Sequence, residues 1–420
     1  MCNIQIKLEI YTGSDKKFYG IEREIAAEFR QAMSEFKSVT ILGPRQSGKT
    51  TLARTVFSQK EYVSLEDPDI RLQAEADPRQ FLKRYKDGAI FDEIQRLPNL
   101  LSFLQTIMDS SFRKGMYVFT GSHQPLLHEA ISQSLAGRTA ILNLWPFTIA
   151  EIRNYKKQLD PFELILQGSY PAIYEEKLDC LRFYRSYLET YVQRDVRTIA
   201  QLHSMSLFQK FLILLAGRTG QILNYSSISN DLGISSTTVK SWLSILEASF
   251  IVFQLQPFFM NIKKRLIRSP KVYFTDVGLA TYLLGIKSVD QVERDPLRGG
   301  LYENLIVSEI IKNAYNKGIK PEVYFYRDSH GNEVDLLIRN DGKLIPIEIK
   351  SASTFTKEFL KSSNKLLNLD LRFSDRNFIL LNCDEEIEIH NTTMFNPLKC
   401  DNLWDKLTAT GQNLTVQEGF

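Results

Sequence analysis

Short apolar runs alternate with amphipathic stretches over the first third of the chain. A stretch with helical spacing begins at Ile21, and the apolar run VTIL follows it and ends at Gly43. Four further runs have the length and composition of buried strands, at 62–65, 89–91, 116–120 and 139–144. Strands that alternate with helices in this way predict a parallel α/β sheet with helices on both faces.

The pattern changes after residue 146. Residues 147–220 have mostly helical spacing, and residues 221–295 contain a short helix pair followed by a hairpin pattern. Helix and strand patterns begin again near Gly299 and continue to residue 400, which predicts a separate C-terminal α/β domain over 296–400. The remaining residues, 401–420, are expected to form a tail.

The composition is that of a globular protein with more than one core. At 420 residues, 43% hydrophobic and 24% charged, the chain is too long for one core and too apolar for disorder. Its 52 basic residues exceed its 49 acidic residues by only 3, so net charge alone does not predict a nucleic-acid partner. The four cysteines form no CxxC pair, which excludes a zinc ribbon and predicts reduced thiols in a cytoplasmic protein. No run approaches the ~20 apolar residues of a membrane helix, so we expect no membrane partner.

A phosphate-binding motif, GxxxxGK[ST], follows the first predicted strand and opens a helix. Backbone N–H groups of such a loop surround phosphates, Lys49 reaches the β- and γ-phosphates, and the Thr50 hydroxyl ligates Mg²⁺. A chance glycine-rich turn is the alternative. The predicted nucleotide-binding residues are Gly43, Pro44, Arg45, Gln46, Ser47, Gly48, Lys49, Thr50 and Thr51.

A pair of acids ends the strand at 89–91. Asp92 is predicted to hold the Mg²⁺ shell, and Glu93 to activate the attacking water as general base, which favours hydrolysis over binding alone. The alternative makes Glu93 a helix cap or a surface acid. At the end of the next strand, Thr120 or Ser122 is a candidate sensor of the γ-phosphate, and a plain strand-ending turn is the other interpretation. Arg138 lies where a second subunit or module could offer an arginine finger, and Arg194 and Arg218 are further candidates; surface or helix-end arginines are the alternative.

Several segments together resemble a known group of proteins. GPRQSGKTTLAR, IFDEIQRLPNLLSFLQ, VFTGSHQPLL, SLAGR and YVQRDV are similar to archaeal and bacterial AAA-superfamily ATPases that carry a C-terminal nuclease-like domain. The resemblance implies ATP as the nucleotide, Mg²⁺ as its metal, and this order of domains. The loop itself contacts phosphates and so does not distinguish ATP from other nucleoside triphosphates.

The middle of the chain contains a winged-helix candidate. Residues 226–243 have the pattern helix, turn at Gly233, helix capped by Ser235, and a hairpin follows with the basic tip 263–268. Wings of this kind contact DNA phosphates, and lid or protein-docking roles are the alternative. The residues predicted to face a DNA groove are Thr237, Thr238 and Lys240.

A second candidate site lies near the C-terminus. Glu348 and Lys350 are two positions apart on a predicted strand and share a face, and Asp335 lies on the neighbouring strand. Such a set can hold Mg²⁺ and position a water against a phosphodiester, with Glu303 as a further ligand or as a group that orients the lysine. The Asp…Glu-x-Lys order resembles the PD-(D/E)xK nuclease superfamily, in particular its Holliday-junction-resolvase-like branch. An ordinary cross-face ion pair is the alternative.

These observations predict an α/β protein with four folded regions. They are a P-loop ATPase domain of parallel sheet and helices on both faces over 1–146, a helical lid over 147–220, a winged helix over 221–295 and a restriction-endonuclease-like domain over 296–400. The predicted function is Mg²⁺-dependent ATP hydrolysis coupled to a C-terminal domain that binds or cuts DNA. The alternative is an ATP-switched assembly protein, a homo-oligomer when bound to nucleotide, whose C-terminal domain binds a partner without cutting.

Overall fold

The computed structural model describes residues 21–122, 131, 133–192, 205–258, 269–361, 366 and 372–409. Two sheets and the helices around them confirm the predicted α/β class. The strands are β1 Ser38–Leu42, β2 Glu61–Ser64, β3 Ala89–Asp92, β4 Tyr117–Gly121, β5 Thr139–Asn143, β6 Val252–Pro257, β7 Lys271–Phe274, β8 Val323–Arg327, β9 Glu333–Asn340, β10 Lys343–Lys350, β11 Asn377–Leu381, β12 Ile387–Ile389 and β13 Thr392–Phe395.

Helices flank both sheets. They are α1 Ala26–Glu35, α2 Lys49–Val56, α3 Pro68–Ala76, α4 Pro78–Lys83, α5 Leu100–Asp109, α6 Ile149–Arg153, α7 Pro161–Gln167, α8 Pro171–Glu175, α9 Cys180–Tyr187, α10 Met205–Ala216, α11 Tyr225–Leu232, α12 Ser236–Ala248, α13 Val277–Leu283, α14 Val289–Arg294, α15 Arg298–Tyr315 and α16 Leu403–Thr408. In the part of the chain that the structure describes, none of them is long and apolar enough to cross a membrane.

The first sheet has the order β2-β3-β4-β1-β5 and all its strands are parallel. Successive side chains alternate between its faces: Ile90 and Val118 pack in a cluster with α1 and α2, whereas Phe91 and Phe119 pack in a cluster with α4 and α5. Both faces are therefore covered by helices, as predicted. Because the strands are parallel, the carboxyl ends of β1, β3 and β4 meet at one edge.

The second sheet has eight strands in the order β12-β13-β11-β10-β9-β8-β6-β7. The β6–β7 hairpin lies in the region predicted as a winged helix, yet β6 pairs with β8 through Gln256 and Tyr324. One apolar cluster runs from Trp145 to Leu407 and crosses the boundary expected near residue 295. The middle and C-terminal regions thus share a core, and the domain limits stay predictions.

The stretch after residue 400 differs in part from the predicted tail. Helix α16 buries Leu403, Trp404 and Leu407 in the large cluster, and the Leu403 N–H donates to Asn313 Oδ1 of α15 at 2.6 Å. A six-residue helix has too few turns to show a helical period in the sequence. Two earlier predictions, the basic tip at 263–268 and Arg194, lie outside the described residues.

Candidate functional site

The predicted phosphate loop connects the end of β1 to the start of α2. A Cβ at Gly43 would lie 2.0 Å from the carbonyl oxygen of Leu144, so only glycine fits there. Gly48 has φ +91° and ends the loop one residue before α2 begins. Such a backbone favours glycine, and it leaves the first N–H groups of α2 pointing toward the loop.

Lys49 lies at the centre of this loop and is 5% exposed. Its ammonium donates to the carbonyl oxygens of Gly43 at 3.1 Å and Pro44 at 2.7 Å. Burial lowers the pKa of Lys49 to about 8, and the nearby carboxylates of Glu93 and Asp92 act against that shift. An anion delivered to the loop would favour the charged lysine, because a negative partner offsets the cost of burial.

Asp92 ends β3 opposite Thr50. The Thr50 hydroxyl lies 3.0 Å from Asp92 Oδ1 and 3.1 Å from Oδ2. Tyr62 donates to Oδ2 at 2.6 Å, and the Thr120 hydroxyl donates to Oδ1. A hydroxyl and a carboxylate at this separation fit Mg²⁺, which takes a few protein oxygens and keeps several waters. Tyr62 and Thr120 hold the carboxylate in place from the neighbouring strands.

Glu93 follows Asp92 with a left-handed backbone at φ +56°. Burial raises the pKa of Glu93, while Lys49 and Arg45 act to lower it. The alternative prediction is that Glu93 caps the next helix. Its side chain makes no capping hydrogen bond to the short 3-10 helix that follows. Instead Gln95 donates to Glu93 and, at 3.1 Å, to the hydroxyl of Ser122.

A cavity of about 910 Å³ opens above the loop. One wall is formed by the loop and Glu93, and the opposite wall by the segment between α8 and α9, including Lys177, and by α9, including Arg182. Three non-glycine residues with positive φ line it, namely Gln46, Glu93 and Lys177. Strained backbone of this kind concentrates at functional sites.

A second cavity of about 460 Å³ adjoins Gly48 and Thr51. Its walls are the residues before α1, one side of α2, and Phe147 with Pro171. The side of α2 contributes Leu52 and Val56, so this space is less polar than the phosphate cleft. It can accept a flat apolar group attached to a phosphate chain in the loop.

Two of the candidate arginine fingers do not reach the loop of their own chain. Arg138 precedes β5 at the amino edge of the sheet, opposite the loop, and forms two bonds to Asp109 at 2.6 and 2.9 Å. Arg218 pairs with Asp231 at 2.8 Å in the middle region. Arg138 therefore does not reach the nucleotide site of its own chain, because a residue that precedes a parallel strand lies at the other edge of the sheet. A contribution of Arg138 to the site of a second subunit stays a prediction.

The predicted C-terminal residues converge on the paired strands β9 and β10. Lys350 Nζ lies 2.7 Å from Asp335 Oδ2 and 2.8 Å from Glu348 Oε2, so the lysine bridges the two acids. Asp335 also accepts the Ile349 N–H at 2.8 Å. Burial and Asp335 raise the pKa of Glu348 to about 8. Burial acts to raise the pKa of Asp335 as well, but Lys350 and Lys271 outweigh it and hold that pKa below its ordinary value.

Glu303 bonds Lys271 rather than Lys350, contrary to its prediction as the group that orients Lys350. It accepts from Lys271 at 2.9 Å and from Tyr273 at 2.5 Å. Lys271 also pairs with Glu333 at 2.6 Å. Burial raises the pKa of Glu303 to about 7, Lys271 acts to lower it and the charge of Asp335 adds to the increase, so Glu303 lies near the other acids. Among the described residues, no three His, Cys, Asp or Glu side chains are arranged to hold a metal ion. A Mg²⁺ site on Asp335 and Glu348 stays a prediction.

The helix pair at 225–248 has the predicted turn. Gly233 has φ +67°, and the Ser235 hydroxyl accepts the Thr238 N–H at 3.0 Å, which confirms that Ser235 caps α12. Thr237 and Lys240 are exposed on α12. Contact with DNA by this face stays a prediction.

Several residues at these sites carried no signal in the sequence. Tyr62, Gln95 and Arg182 reach the phosphate cleft from neighbouring elements, and Lys271 enters the C-terminal cluster from β7. Each belongs to no motif and is placed only by tertiary packing.

Three parts of the chain match known protein families. Residues 35–153 match a family described as an AAA domain, whereas 158–290 and 298–400 match two families each described as a domain of unknown function. The first match and the loop geometry agree. Residues 35–153 are therefore similar to an AAA domain and contain the GxxxxGK[ST] loop.

Related proteins have been found in bacteria and archaea. An uncharacterized protein of Mycobacterium tuberculosis is 29% identical over 335 residues, which cover 79% of this chain and 74% of that protein. An uncharacterized protein of Methanocaldococcus jannaschii is 25% identical over 413 residues, which cover 86% of this chain and 85% of that protein.

Two solved structures resemble parts of the fold. The Walker-type ATPase PABY2304 of Pyrococcus abyssi has a TM-score of 0.40 at 16% identity, over 64% of this chain and 99% of that chain. A signal-transduction ATPase with a tetratricopeptide repeat sensor, from Pyrococcus horikoshii, has a TM-score of 0.27 at 16% identity, over 70% of this chain and 48% of that chain. At TM-scores this low the likeness carries no inference about activity.

Proposed function

We propose that this chain is a Mg²⁺-dependent ATPase that binds ATP at the loop 43–51 and hydrolyses it with Glu93 as general base. The observation that carries the proposal is the direct contact of Thr50 with Asp92, next to Glu93 and to the buried Lys49 of the same loop. These are the groups that phosphoryl transfer requires: a phosphate cradle, a metal shell and a base.

Binding begins at the start of α2. The N–H groups of the loop and of the first turn of α2 donate to the phosphates, and the helix dipole favours their charge. Lys49 exchanges the carbonyls of Gly43 and Pro44 for phosphate oxygens. This exchange replaces two neutral acceptors by charged ones, which form stronger bonds with an ammonium.

Thr50 and Asp92 are the residues that would hold Mg²⁺. When bound there, the ion neutralises charge that develops on the phosphates. Tyr62 and Thr120 keep the carboxylate of Asp92 oriented by donating to its two oxygens.

Glu93 acts on the attacking water. Burial raises the pKa of Glu93, which makes its carboxylate a better proton acceptor than an exposed glutamate, and Glu93 lines the cleft beside the loop. Gln95 orients Glu93 from behind and connects it to Ser122 at the end of β4. Ser122 is thereby positioned to sense the γ-phosphate.

The opposite wall supplies cations from the same chain. Lys177 and Arg182 are exposed on the cavity and form no ion pair with another described residue. A cation at this position stabilises the charge of the transferring phosphoryl group. Arg182 therefore takes the role for which Arg138 and Arg218 are badly placed, and a second subunit is not required for it.

The adenine base of ATP occupies the smaller cavity beside Thr51. The space adjoins the loop and is lined by Leu52, Val56 and Phe147, which suit the faces of an adenine ring.

Phosphate release from ATP by the purified full chain tests the proposal. Lys49→Ala is expected to abolish binding of MgATP. Glu93→Gln is expected to lower kcat by about 100-fold or more while MgATP still binds, because only the base is lost. Glu61→Gln, an exposed acid on the adjacent strand β2, is the matched control and should leave turnover unchanged. If Glu93→Gln hydrolyses ATP at the wild-type rate, Glu93 is not the general base.

A second candidate function concerns the C-terminal region. Lys350 bridges Asp335 and Glu348, and both acids are buried. This closed arrangement supports the interpretation in which nucleotide controls assembly and the C-terminal region binds a partner, DNA or protein, without cutting it. Cleavage of DNA would require that Lys350 release at least one acid.

Two measurements separate the interpretations. Supercoiled plasmid is incubated with the protein and Mg²⁺ or Mn²⁺, and nicking that disappears in both Asp335→Ala and Lys350→Ala would establish a nuclease. The binding interpretation predicts intact plasmid and a change of molecular mass with a slowly hydrolysed ATP analogue. The mass is measured in solution with and without the analogue.

A further inference from the structure

Arg23 is a buried cation that touches the phosphate loop but belongs to no motif. It lies before α1, is 7% exposed, and donates from Nη1 to the carbonyl oxygen of Ser47 at 2.7 Å. Its Nη2 donates to Trp145 O at 2.8 Å and its Nε to Glu151 Oε1 at 2.8 Å. One guanidinium thus joins the loop to the segment that follows β5.

That segment is in turn held by α15. Lys312 donates to the carbonyl oxygen of Phe147 at 2.7 Å, and Glu309 accepts the Ile149 N–H at 2.9 Å. Lys312 and Glu309 form an ion pair at 2.9 Å, and both are 2% exposed. Buried charges of this kind tolerate little displacement, because a broken bond leaves a charge without compensation.

A parallel connection runs through Glu24. Its Oε2 accepts from the Thr148 hydroxyl at 2.9 Å and from Asn316 Nδ2 at 3.1 Å. Thr148 and Glu151 form a reciprocal capping box at the start of α6. Glu24, the residue after Arg23, is therefore connected to the C-terminal end of α15.

The amino-terminal half of α15 belongs to the C-terminal cluster, the buried acids and lysines around Asp335 and Lys271. Glu303 holds Lys271 and Tyr273, and the side chain of Asn304 forms two bonds of 2.7 Å with the backbone of Phe274. At 1.5 Å per residue, Glu303 and Asn316 are about 20 Å apart along the helix axis. A single helix thus makes polar contacts near both candidate sites.

The proposed function implies two hydrogen-bond arrangements of the loop. Lys49 donates to the carbonyls of Gly43 and Pro44 in this structure, and under the proposed function it must leave them for phosphate oxygens. The carbonyl of Ser47, which accepts from Arg23, lies in the same short loop, so we expect a change in the loop to reach the Arg23 bond. Discrete arrangements of this kind are what a coupling between sites requires.

We propose that Arg23 is a positioning residue that links the phosphate loop to α15, so that nucleotide binding and the packing of α15 against the C-terminal cluster are energetically coupled. The inference rests on the proposed function, since it requires that the loop bind a nucleotide. Coupling is reciprocal, and a change at α15 must alter nucleotide affinity by the same factor as nucleotide alters α15.

Hydrogen exchange of the full chain with and without MgADP tests the coupling, with MgADP affinity measured by calorimetry. In the wild type, MgADP is expected to change exchange over residues 298–315. Arg23→Lys keeps the charge but cannot reach three acceptors, so we expect about five- to tenfold weaker MgADP binding and no response of α15 at saturating MgADP. Arg113→Lys is the control, because Arg113 likewise bonds a carbonyl and an acid but lies exposed.

Asn316→Ala keeps the test valid if Arg23→Lys does not fold. Asn316 touches neither the loop nor Arg23, so an altered MgADP affinity of about two- to fivefold in this variant would report coupling through α15. Unchanged exchange of α15 in the wild type, or wild-type behaviour of Arg23→Lys, would overturn the inference. If the wild type binds no MgADP, the proposed function itself is contradicted.

Discussion

Glu24 offers a test of the buried polar network that needs no ligand. It lies among the acids Glu151 and Glu309, near the cations Arg23 and Lys312. Burial and then the charge of Glu151 raise the pKa of Glu24 from 4.5 to about 7, although its bond from Thr148 acts to lower it. Glu24→Gln keeps an oxygen acceptor for its neighbours and removes the ionisation.

The sign follows from the raised pKa. Protonated Glu24 is favoured in the folded chain, so its contribution is fully present below pH 4.5 and is lost as the pH rises through about 7. A pKa raised from 4.5 to about 7 corresponds to at most about 3 kcal/mol of lost stability well above both values. Of this, about 2 kcal/mol falls between pH 5.5 and pH 8. The change that Glu24→Gln makes in the free energy of unfolding should therefore be more stabilising at pH 8 than at pH 5.5 by about 2 kcal/mol.

Urea unfolding followed by tryptophan fluorescence measures the difference. All three tryptophans, Trp145, Trp242 and Trp404, are buried in the large cluster and report its unfolding. Glu35→Gln on α1 is the control, because Glu35 is exposed and its substitution should shift the midpoint equally at both pH values. If Glu24→Gln changes stability by the same amount at pH 5.5 and pH 8, Glu24 is ionised in the folded chain and the network has been misread.

Two further substitutions probe other parts of the molecule. Gly168→Ala places a Cβ 1.8 Å from the Tyr184 hydroxyl at a φ of +70°, and we expect a loss of about 2–4 kcal/mol in urea unfolding. Gly137→Ala has a similar φ with open space around it and should lose only about 1 kcal/mol. Arg182→Ala should lower kcat for ATP by about tenfold or more with little change in folding, whereas Arg185→Ala on the same helix, which faces a different cavity, should leave kcat unchanged.

Local patterns predicted the parts of the fold that depend on short stretches of sequence. The strand at β1, the glycines at 43 and 48 and the acids at the end of β3 are contiguous, so their spacing carries the information. The parallel sheet then places Asp92 beside Thr50 without further assumptions, since both follow the carboxyl ends of strands. The same rule explains why Arg138, which precedes its strand, lies away from the loop of its own chain.

Contacts between distant segments were not predictable in this way. Arg23 meets Glu151 across 128 positions, and Lys271 meets Glu303 across 32. The sequence around Arg23 and around Lys271 looks like that of a surface residue. Only the burial of both partners distinguishes them, and burial depends on how β7, α6 and α15 pack.

These buried pairs also change what the near-neutral net charge means. Arg23, Lys271, Lys312 and Lys350 are each paired with acids inside the protein, so their charges contribute little to the field outside it. A cation buried beside a carboxylate orients groups at a site, whereas an exposed one such as Arg182 is available to a phosphate. Net charge counts both kinds alike. On the cleft wall the exposed cations Lys177 and Arg182 lie among the acids Glu176 and Asp179, so a polyanion there meets a local arrangement of charge that the overall excess of 3 does not describe.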